Sequence, residues 1–378
     1  MELARDIPSA CLGSAPLLRR GVRLSTSLAT RLHSLGVRAV WIEDDVSEGI
    51  IPAQPLPDHI RDATEAAVSS CLEAARSAAA DLSSLPARAF AQIEQAAENL
   101  IEALADCPEA AFAFDDLSTA DSYTYSHSVR VATLGLLLGQ RIDRVDGWLD
   151  YRGERRYDRM VERMTQLTMG LLIHDIGKLA IPEPILNKPG KLTPAEWELV
   201  KTHPTAGASL LSSDRISPLT RCVVRDHHER WDGQGYPAGR AGTDIHQFAR
   251  IAAVADVYDA ITADRPYRPA TAPHIGVSAV REGAGTQFDE EIVAHFLKIA
   301  MPYPVGYTIS LPDGRAGAVV GVDPESPDYP VIRHRDASGR LTEVAMHIVD
   351  GVVETGAAAP AEPATSAPAP PASPSLAV

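Results

Sequence analysis

Apolar positions recur at helical spacing through most of this chain. After His127 they fall at Val131, Leu134, Leu138 and Ile142, one buried helix face that also carries His127. Residues 58–105 are rich in Ala, Glu, Leu and Arg, strong helix formers, and Pro86 predicts the start of a second helix there. The pattern stays helical from 121 to 300. Nearer the N-terminus, Leu28, Leu32 and Leu35 mark a helix stopped by Gly36, and 37–42 predicts a strand. Residues 50–57 hold three prolines and read as a linker.

Beyond Gly306 the period shortens. Residues 307–311, a Pro312-Asp313-Gly314 turn and 318–322 predict a β-hairpin, with further strands at 331–332 and 344–349. Residues 354–378, mostly Ala, Pro and Ser, predict a disordered tail, because few large apolar side chains are present to offset the entropy of ordering. The expected organisation is a small N-terminal α/β unit and linker (1–57), then a helical segment (58–120) packing on the next domain or on a partner chain. A mainly helical domain (121–304), a small C-terminal β unit (305–353) and the tail (354–378) follow.

Charge and cysteine usage narrow the function classes. The formal charge of -15 argues against binding a nucleic-acid polymer, although metals and a few local arginines still allow a small phosphate ligand. Cys11, Cys71, Cys107 and Cys222 are scattered without a CxxC pair, which predicts a reduced, cytosolic protein. No apolar run reaches the length of a membrane span, and Glu2 and Asp6 do not suit a signal peptide. The expectation is a soluble, cytoplasmic protein.

The chemistry lies in seven residues: His127, His174, Asp175, His203, His227, His228 and Asp256. Imidazole nitrogen and carboxylate oxygen are ligands for divalent transition metals, and the set is large enough for two ions. On one continuous helix, Leu167, Leu171, His174, Asp175 and Lys178 would share a face, with His174 and Asp175 about 100° apart around the axis. A carboxylate at Asp175 can bridge two cations, one per oxygen. Lys178, one turn on, can neutralise phosphate charge or protonate a departing oxygen; a surface lysine favouring the helix dipole is the plainer alternative. The segment from Asp232 to Pro237 cannot be helical, and its glycines permit close backbone approach to a ligand or simply build a turn. Asp259 stands near Asp256 on a helix and suits a carboxylate orienting a ligand histidine. Arg265 and Arg268 suit bidentate phosphate capture or stacking on guanine.

The runs His174-Asp175-Ile176-Gly177-Lys178 and His228-Glu229-Arg230-Trp231-Asp232-Gly233-Gln234-Gly235-Tyr236-Pro237, with Asp256-Val257-Tyr258-Asp259-Ala260 downstream, resemble the HD-GYP family over residues 121–269. The resemblance implies a helical HD-domain bundle with a binuclear metal centre that hydrolyses the bacterial second messenger cyclic di-GMP. It implies a first metal on His127, His174, Asp175 and Asp256, leaving His203, His227 and His228 for a second that shares Asp175. Iron or manganese are the ions expected. It further implies phosphate contact and leaving-group protonation by Lys178, and substrate contact by Gly235, Arg265 and Arg268. Diguanylate cyclase (GGDEF) domains are implied partners at the Gly-Tyr-Pro loop, and the helices of 58–105 suit a homodimer.

Two features depart from the family pattern. Some members recruit a third metal with a Glu four residues before the first histidine, where this chain has Tyr123. Two metals, and linear pGpG as main product, are therefore expected. The charged stretch 143–163 lengthens the gap between His127 and His174 and reads as a helix extension or a mobile lid with a solvated surface. Other readings are a hydrolase of another nucleotide or cyclic dinucleotide, and a non-catalytic scaffold that binds the messenger or docks cyclases.

Overall fold

Helices follow the apolar stripes. The computed structural model describes residues 2–4, 6–7, 16–35, 37, 40, 42–50, 56–80, 86–105, 123–149, 153–211, 216–263, 271–323, 326–349 and 352–353. The chain opens with β1 (Glu2–Leu3), α1 (Thr26–Ser34) and β2 (Ile42–Glu43), then the long helices α2 (Asp58–Ala80), α3 (Ala87–Leu104) and α4 (Tyr123–Val145). A two-stranded hairpin of β3 (Trp148–Leu149) and β4 (Arg155–Arg156) leads to α5 (Met160–Leu172). Shorter helices continue: α6 (Glu183–Leu186), α7 (Pro194–Val200), α8 (His203–Leu210), α9 (Pro218–Asp226), α10 (Gln247–Thr262), α11 (Pro273–Glu282) and α12 (Glu290–Phe296). The strands β5 (Thr308–Ser310), β6 (Ala316–Gly321), β7 (Val331–Arg335) and β8 (Leu341–Ala345) form an antiparallel meander. β9 (Ile348–Val349) pairs with β10 (Val352–Val353).

Two compact units result. The helical one comprises Gln54–Ala300 with Thr30–Ala39. Its core takes Val131, Leu134, Leu138 and Ile142 from α4, each contributing about 1.5–3 kcal/mol by leaving water. The same core takes Val68 and Cys71 from α2 and Ile93, Ala97 and Leu100 from α3, so the apolar stripes of this helical pair are used within the chain. Pro86 is the N-cap of α3. No described helix is long and apolar enough to cross a membrane.

The second unit joins described parts of Met1–Ala29, Val40–Ala53 and Met301–Val378 around Tyr303, Ile309, Leu311, Val319, Ile332 and Ile348. Chain order separates 1–57 from 305–353, but in space β7 holds the turn after β2. Arg333 Nη1 donates to the Glu48 carbonyl at 2.7 Å, and Arg335 Nε to Asp45 Oδ2 at 2.7 Å. The 37–42 strand and the 50–57 linker fall largely outside the described residues, where the strand found is Ile42–Glu43; the 354–378 tail lies outside them altogether.

Two expectations need correction. The described part of 143–163 is not a long helix extension: α4 ends at Val145 and the β3–β4 hairpin follows. It is not uniformly solvated either. Asp143 and Arg163 are buried and paired at 2.5 Å, while Trp148 packs on Phe248 with ring centroids 4.5 Å apart. The HD motif is not on a continuous α-helix. α5 stops at Leu172, Ile173 to Asp175 form a turn, and Ile176–Ala180 winds as a tighter 3-10 helix. The cause is non-local. The start of α8 lies so close that a Cβ on Gly177 would sit 1.9 Å from the His203 carbonyl oxygen and 2.5 Å from the Gly207 nitrogen.

Both of those neighbours are backbone, so Gly177→Ala cannot be absorbed by a side-chain rotation. It should destabilise the protein by about 3 kcal/mol or more, whereas Gly139→Ala, which meets the flexible end of Leu167, should cost clearly less. Denaturant unfolding of the two variants measures the difference; equal, small losses would contradict this packing.

Candidate metal centre

Five separate segments converge on one buried cluster of side chains. α4 brings His127, the turn after α5 brings His174 and Asp175, and α8 opens on His203. His227 caps the C-terminus of α9 with His228 next to it, and α10 brings Asp256 and Asp259. Local hydrogen bonds fix the rings. The Nδ1 atoms of His174 and His203 lie 2.8 Å from the carbonyls of Leu171 and Val200, and His227 Nδ1 lies 3.1 Å from that of Val223. His127 Nδ1 lies 2.7 Å from Asp259 Oδ2, and Arg130 Nε donates to the other oxygen of Asp259 at 2.5 Å. With Nδ1 engaged, each ring turns Nε2 inward, the arrangement that orients histidine for a metal.

The inward atoms sort into two groups around one carboxylate. Asp175 Oδ2 lies 3.5 Å from His174 Nε2 and 3.7 Å from His127 Nε2, with Asp256 Oδ1 3.4 Å from the latter. Asp175 Oδ1 lies 3.4 Å from His203 Nε2 and 3.9 Å from His227 Nε2. Candidate ligand atoms lie within 4.8 Å of one another in the set Asp175, His203, His227 and His228, and likewise in the set His127, His174 and Asp256. His174 Nε2 and Asp175 Oδ1 are buried without a hydrogen-bond partner. An unsatisfied acceptor at such depth costs about 1–3 kcal/mol, which a cation would offset. The donor set fits divalent ions.

Electrostatics favour the same use. Burial alone would raise Asp175, but Lys178 and the histidines His174, His203 and His127 hold it well below the usual carboxylate range. Asp256 is likewise lowered against its burial, by His174, His127 and His228. Burial pushes His203 and His227 down and takes His228 to about 3. Ionised Asp175 and Asp256 with neutral His203, His227 and His228 are protonation states that suit metal coordination.

The remaining candidates are placed unevenly. Lys178 Nζ donates to Asp175 Oδ2 at 2.6 Å and keeps 40% of its side chain exposed. Gly235 has a structural reason to lack a side chain: a Cβ would lie 2.4 Å from the Arg230 nitrogen and 2.5 Å from the His228 carbonyl oxygen. Arg265 and Arg268 lie outside the described residues, as does the side chain of Tyr123. Two neighbours, Arg130 and Trp197, lie outside the motifs, and a third, Tyr236, lies inside one without an assigned role. Arg130 supports Asp259, Tyr236 stacks on His228 with centroids 4.7 Å apart, and Trp197 meets the Tyr236 ring edge-on at 6.0 Å. Arg130 was signalled only by lying one helical turn after His127.

A family model for the HD domain matches residues 137–292, a span that includes every residue of the cluster except His127. The chain is 36% identical over 330 residues to the cyclic di-GMP phosphodiesterase PA4108 of Pseudomonas aeruginosa, covering 81% of this chain and 75% of that protein. It is 37% identical over 156 residues to a cyclic di-GMP phosphodiesterase of Thermotoga maritima, covering 40% of this chain and 42% of the relative. Identity to the 3'3'-cGAMP-specific phosphodiesterase 3 of Vibrio cholerae is 35% over 199 residues, 52% of this chain and 40% of that protein. The chain belongs to the HD-GYP family of HD-domain proteins, and its mainly helical fold with a small four-stranded C-terminal sheet is that of an HD domain with an added β unit.

The lowered histidines make the metal-free protein sensitive to acid. Unfolded histidines take up protons near 6.5, whereas folded His228 does so only near about 3. Between those limits the unfolded chain binds more protons, so stability should rise with pH and level off above about 7. Asp175 and Asp256, lowered from 3.8, add a further loss below that value. Urea midpoints of metal-free protein measured across this range check the slope. His228→Gln should flatten it, and a midpoint independent of pH in the parent chain would contradict the burial of neutral imidazoles.

Proposed function

We infer that this chain is a metal-dependent phosphodiesterase that hydrolyses cyclic di-GMP, mainly to linear pGpG. The observation carrying the reading is the position of Asp175, with one oxygen toward His127 and His174 and the other toward His203 and His227. A relative that matches over most of both chains bears that activity in its name. His127, His174, Asp175 and Asp256 would hold one ion, and His203, His227 and His228 a second that shares Asp175. Two divalent ions so held, when bound, generate a nucleophile from water at neutral pH and neutralise charge on the phosphodiester. Nitrogen-rich sites with carboxylates suit iron or manganese.

The protein's own groups do the rest. Asp259, fixed by Arg130, keeps the His127 ring turned inward. Lys178 Nζ stands against Asp175 at the partly exposed edge of the cluster, holding a proton that it can give to the departing 3′ oxygen while its charge draws the phosphate in. Arg265, Arg268 and the backbone at Gly235 are proposed substrate contacts. The Tyr123 position supports two ions rather than three, and hence pGpG as the main product. Cys71 and Cys222 are buried free thiols, in keeping with a reducing, cytoplasmic setting. Cyclase domains at the Gly-Tyr-Pro loop, and pairing of two copies through the helices of 58–105, are the partners this reading allows.

A second reading keeps the site and changes the dinucleotide, because a relative specific for 3'3'-cGAMP matches 52% of the chain at 35% identity. Purified protein loaded with iron or manganese under reducing conditions should convert cyclic di-GMP to pGpG faster than it converts 3'3'-cGAMP; the reverse order would favour the second reading. Asp175→Ala should empty both positions and lower turnover by about a hundredfold or more. His203→Ala should weaken mainly one ion and His127→Ala mainly the other, as counted by metal analysis. Full-rate turnover in the Asp175 variant would overturn the proposal, and equal ion loss in all three variants would overturn the partition of ligands.

A further inference from the structure

We propose that Glu229 is the positioning residue that fixes the 232–240 loop, and through it the imidazole of His228. The inference rests on the reading that His228 helps to hold a metal ion. Glu229 follows His228 directly and is only 3% exposed. A carboxylate at that depth has to be met by donors. Both of its oxygens are met by backbone: the Ala238 N–H donates to Oε1 at 2.7 Å and the Arg240 N–H to Oε2 at 2.9 Å. Those donors lie nine and eleven residues further along the chain, past the Gly-Tyr-Pro turn. Glu229 therefore ties the stem of the loop to its returning limb.

The inner side of the loop rests on the same short stem. The Tyr236 N–H donates to the His228 carbonyl at 3.2 Å, and Gly235 lies against the backbone of 228–230 with no room for a side chain. This path lays the Tyr236 ring over His228, with centroids 4.7 Å apart and planes 29° from parallel. At the loop's start, Arg230 and Asp232 form a forked ion pair with contacts of 3.0 and 2.6 Å. Residues 237–239 are exposed, so packing does not hold them in place. The two bonds to Glu229 tie this span to the stem, ahead of the point where the Gly242 N–H donates to the Trp231 carbonyl at 2.9 Å and close to where Arg240 Nε lies 3.9 Å from Asp226 Oδ1. Without them the segment between Tyr236 and Gly242 loosens, the Tyr236 ring is less firmly held on the face of His228, and one ligand of the second group loses its fixed orientation.

Glu229→Gln is the decisive variant, since it keeps the shape but turns one acceptor into a donor facing an N–H. Two readouts apply: binding of manganese alone by equilibrium dialysis, and amide exchange at Ala238 and Arg240. In the parent chain both amides should exchange slowly despite their place in an exposed loop. In Glu229→Gln at least one should become fast, and one manganese should bind ten- to a hundredfold more weakly, on the order seen for outer partners of metal ligands, while the other is unchanged. Glu229→Ala should show the same pattern more strongly; should it fail to fold, the Gln variant decides alone. Parent-like manganese affinity in Glu229→Gln, equal weakening of both ions, or fast exchange at both amides in the parent would overturn the proposal. If the parent binds no manganese or iron at all, the metal reading fails, while the exchange data still decide whether Glu229 holds the loop.

Discussion

An anion placed as deep as the Asp175 carboxylate costs several kcal/mol unless positive charge or donors surround it. Here the surroundings are unequal on its two sides. One oxygen takes the Lys178 ammonium together with the ring nitrogens of His127 and His174; the other faces His203 and His227 and has no hydrogen-bond partner. The arrangement is incomplete as a hydrogen-bond network and well matched to cations on both sides. Much of the helical unit can be understood as what keeps those rings from relaxing toward one another. Each ring's outer nitrogen is committed to a carbonyl or to Asp259, and the helices that bear the rings are locked by a continuous apolar core.

The break in the HD segment serves the same end. On an unbroken helix His174 and Asp175 would point roughly 100° apart. The turn at Ile173 to Asp175 and the tighter winding after it let Asp175 face His203 and His227 on one side while His174 stays beside His127. That turn is pressed into place by the start of α8 against Gly177, the same helix start that delivers His203. One backbone contact thus positions residues from both groups.

How much of this was readable from residues alone follows the range of the interactions. The helices α2, α3 and α4 were legible, because an apolar stripe at a period of 3.6 is a local signal and Pro86 marks a boundary. The seven clustered side chains were legible as a set, because few residue types can bind a transition metal and here they sit in recognisable runs. What escaped was non-local. The HD turn depends on α8, and the hairpin after α4 has strands of two residues, too short to show alternation. Asp143 and Arg163 read as surface charges until their pairing across twenty residues is seen. The tie from Arg333 and Arg335 to the turn after β2 spans most of the chain. The need for glycine at position 235 is also non-local in this sense, since a Cβ there would meet the backbone of Arg230 and His228. Glu229 stood inside the most telling motif, but its partners nine and eleven residues away are backbone amides, which carry no side-chain signature.

The claim that one carboxylate serves both histidine groups has a direct test. Crystals of the protein grown with manganese or iron, measured at the absorption edge of the metal, should show two anomalous peaks roughly 3.5–4 Å apart, one on each oxygen of Asp175. The first should touch His127, His174 and Asp256, the second His203, His227 and His228. A single peak, or two peaks of which only one contacts Asp175, would contradict the account.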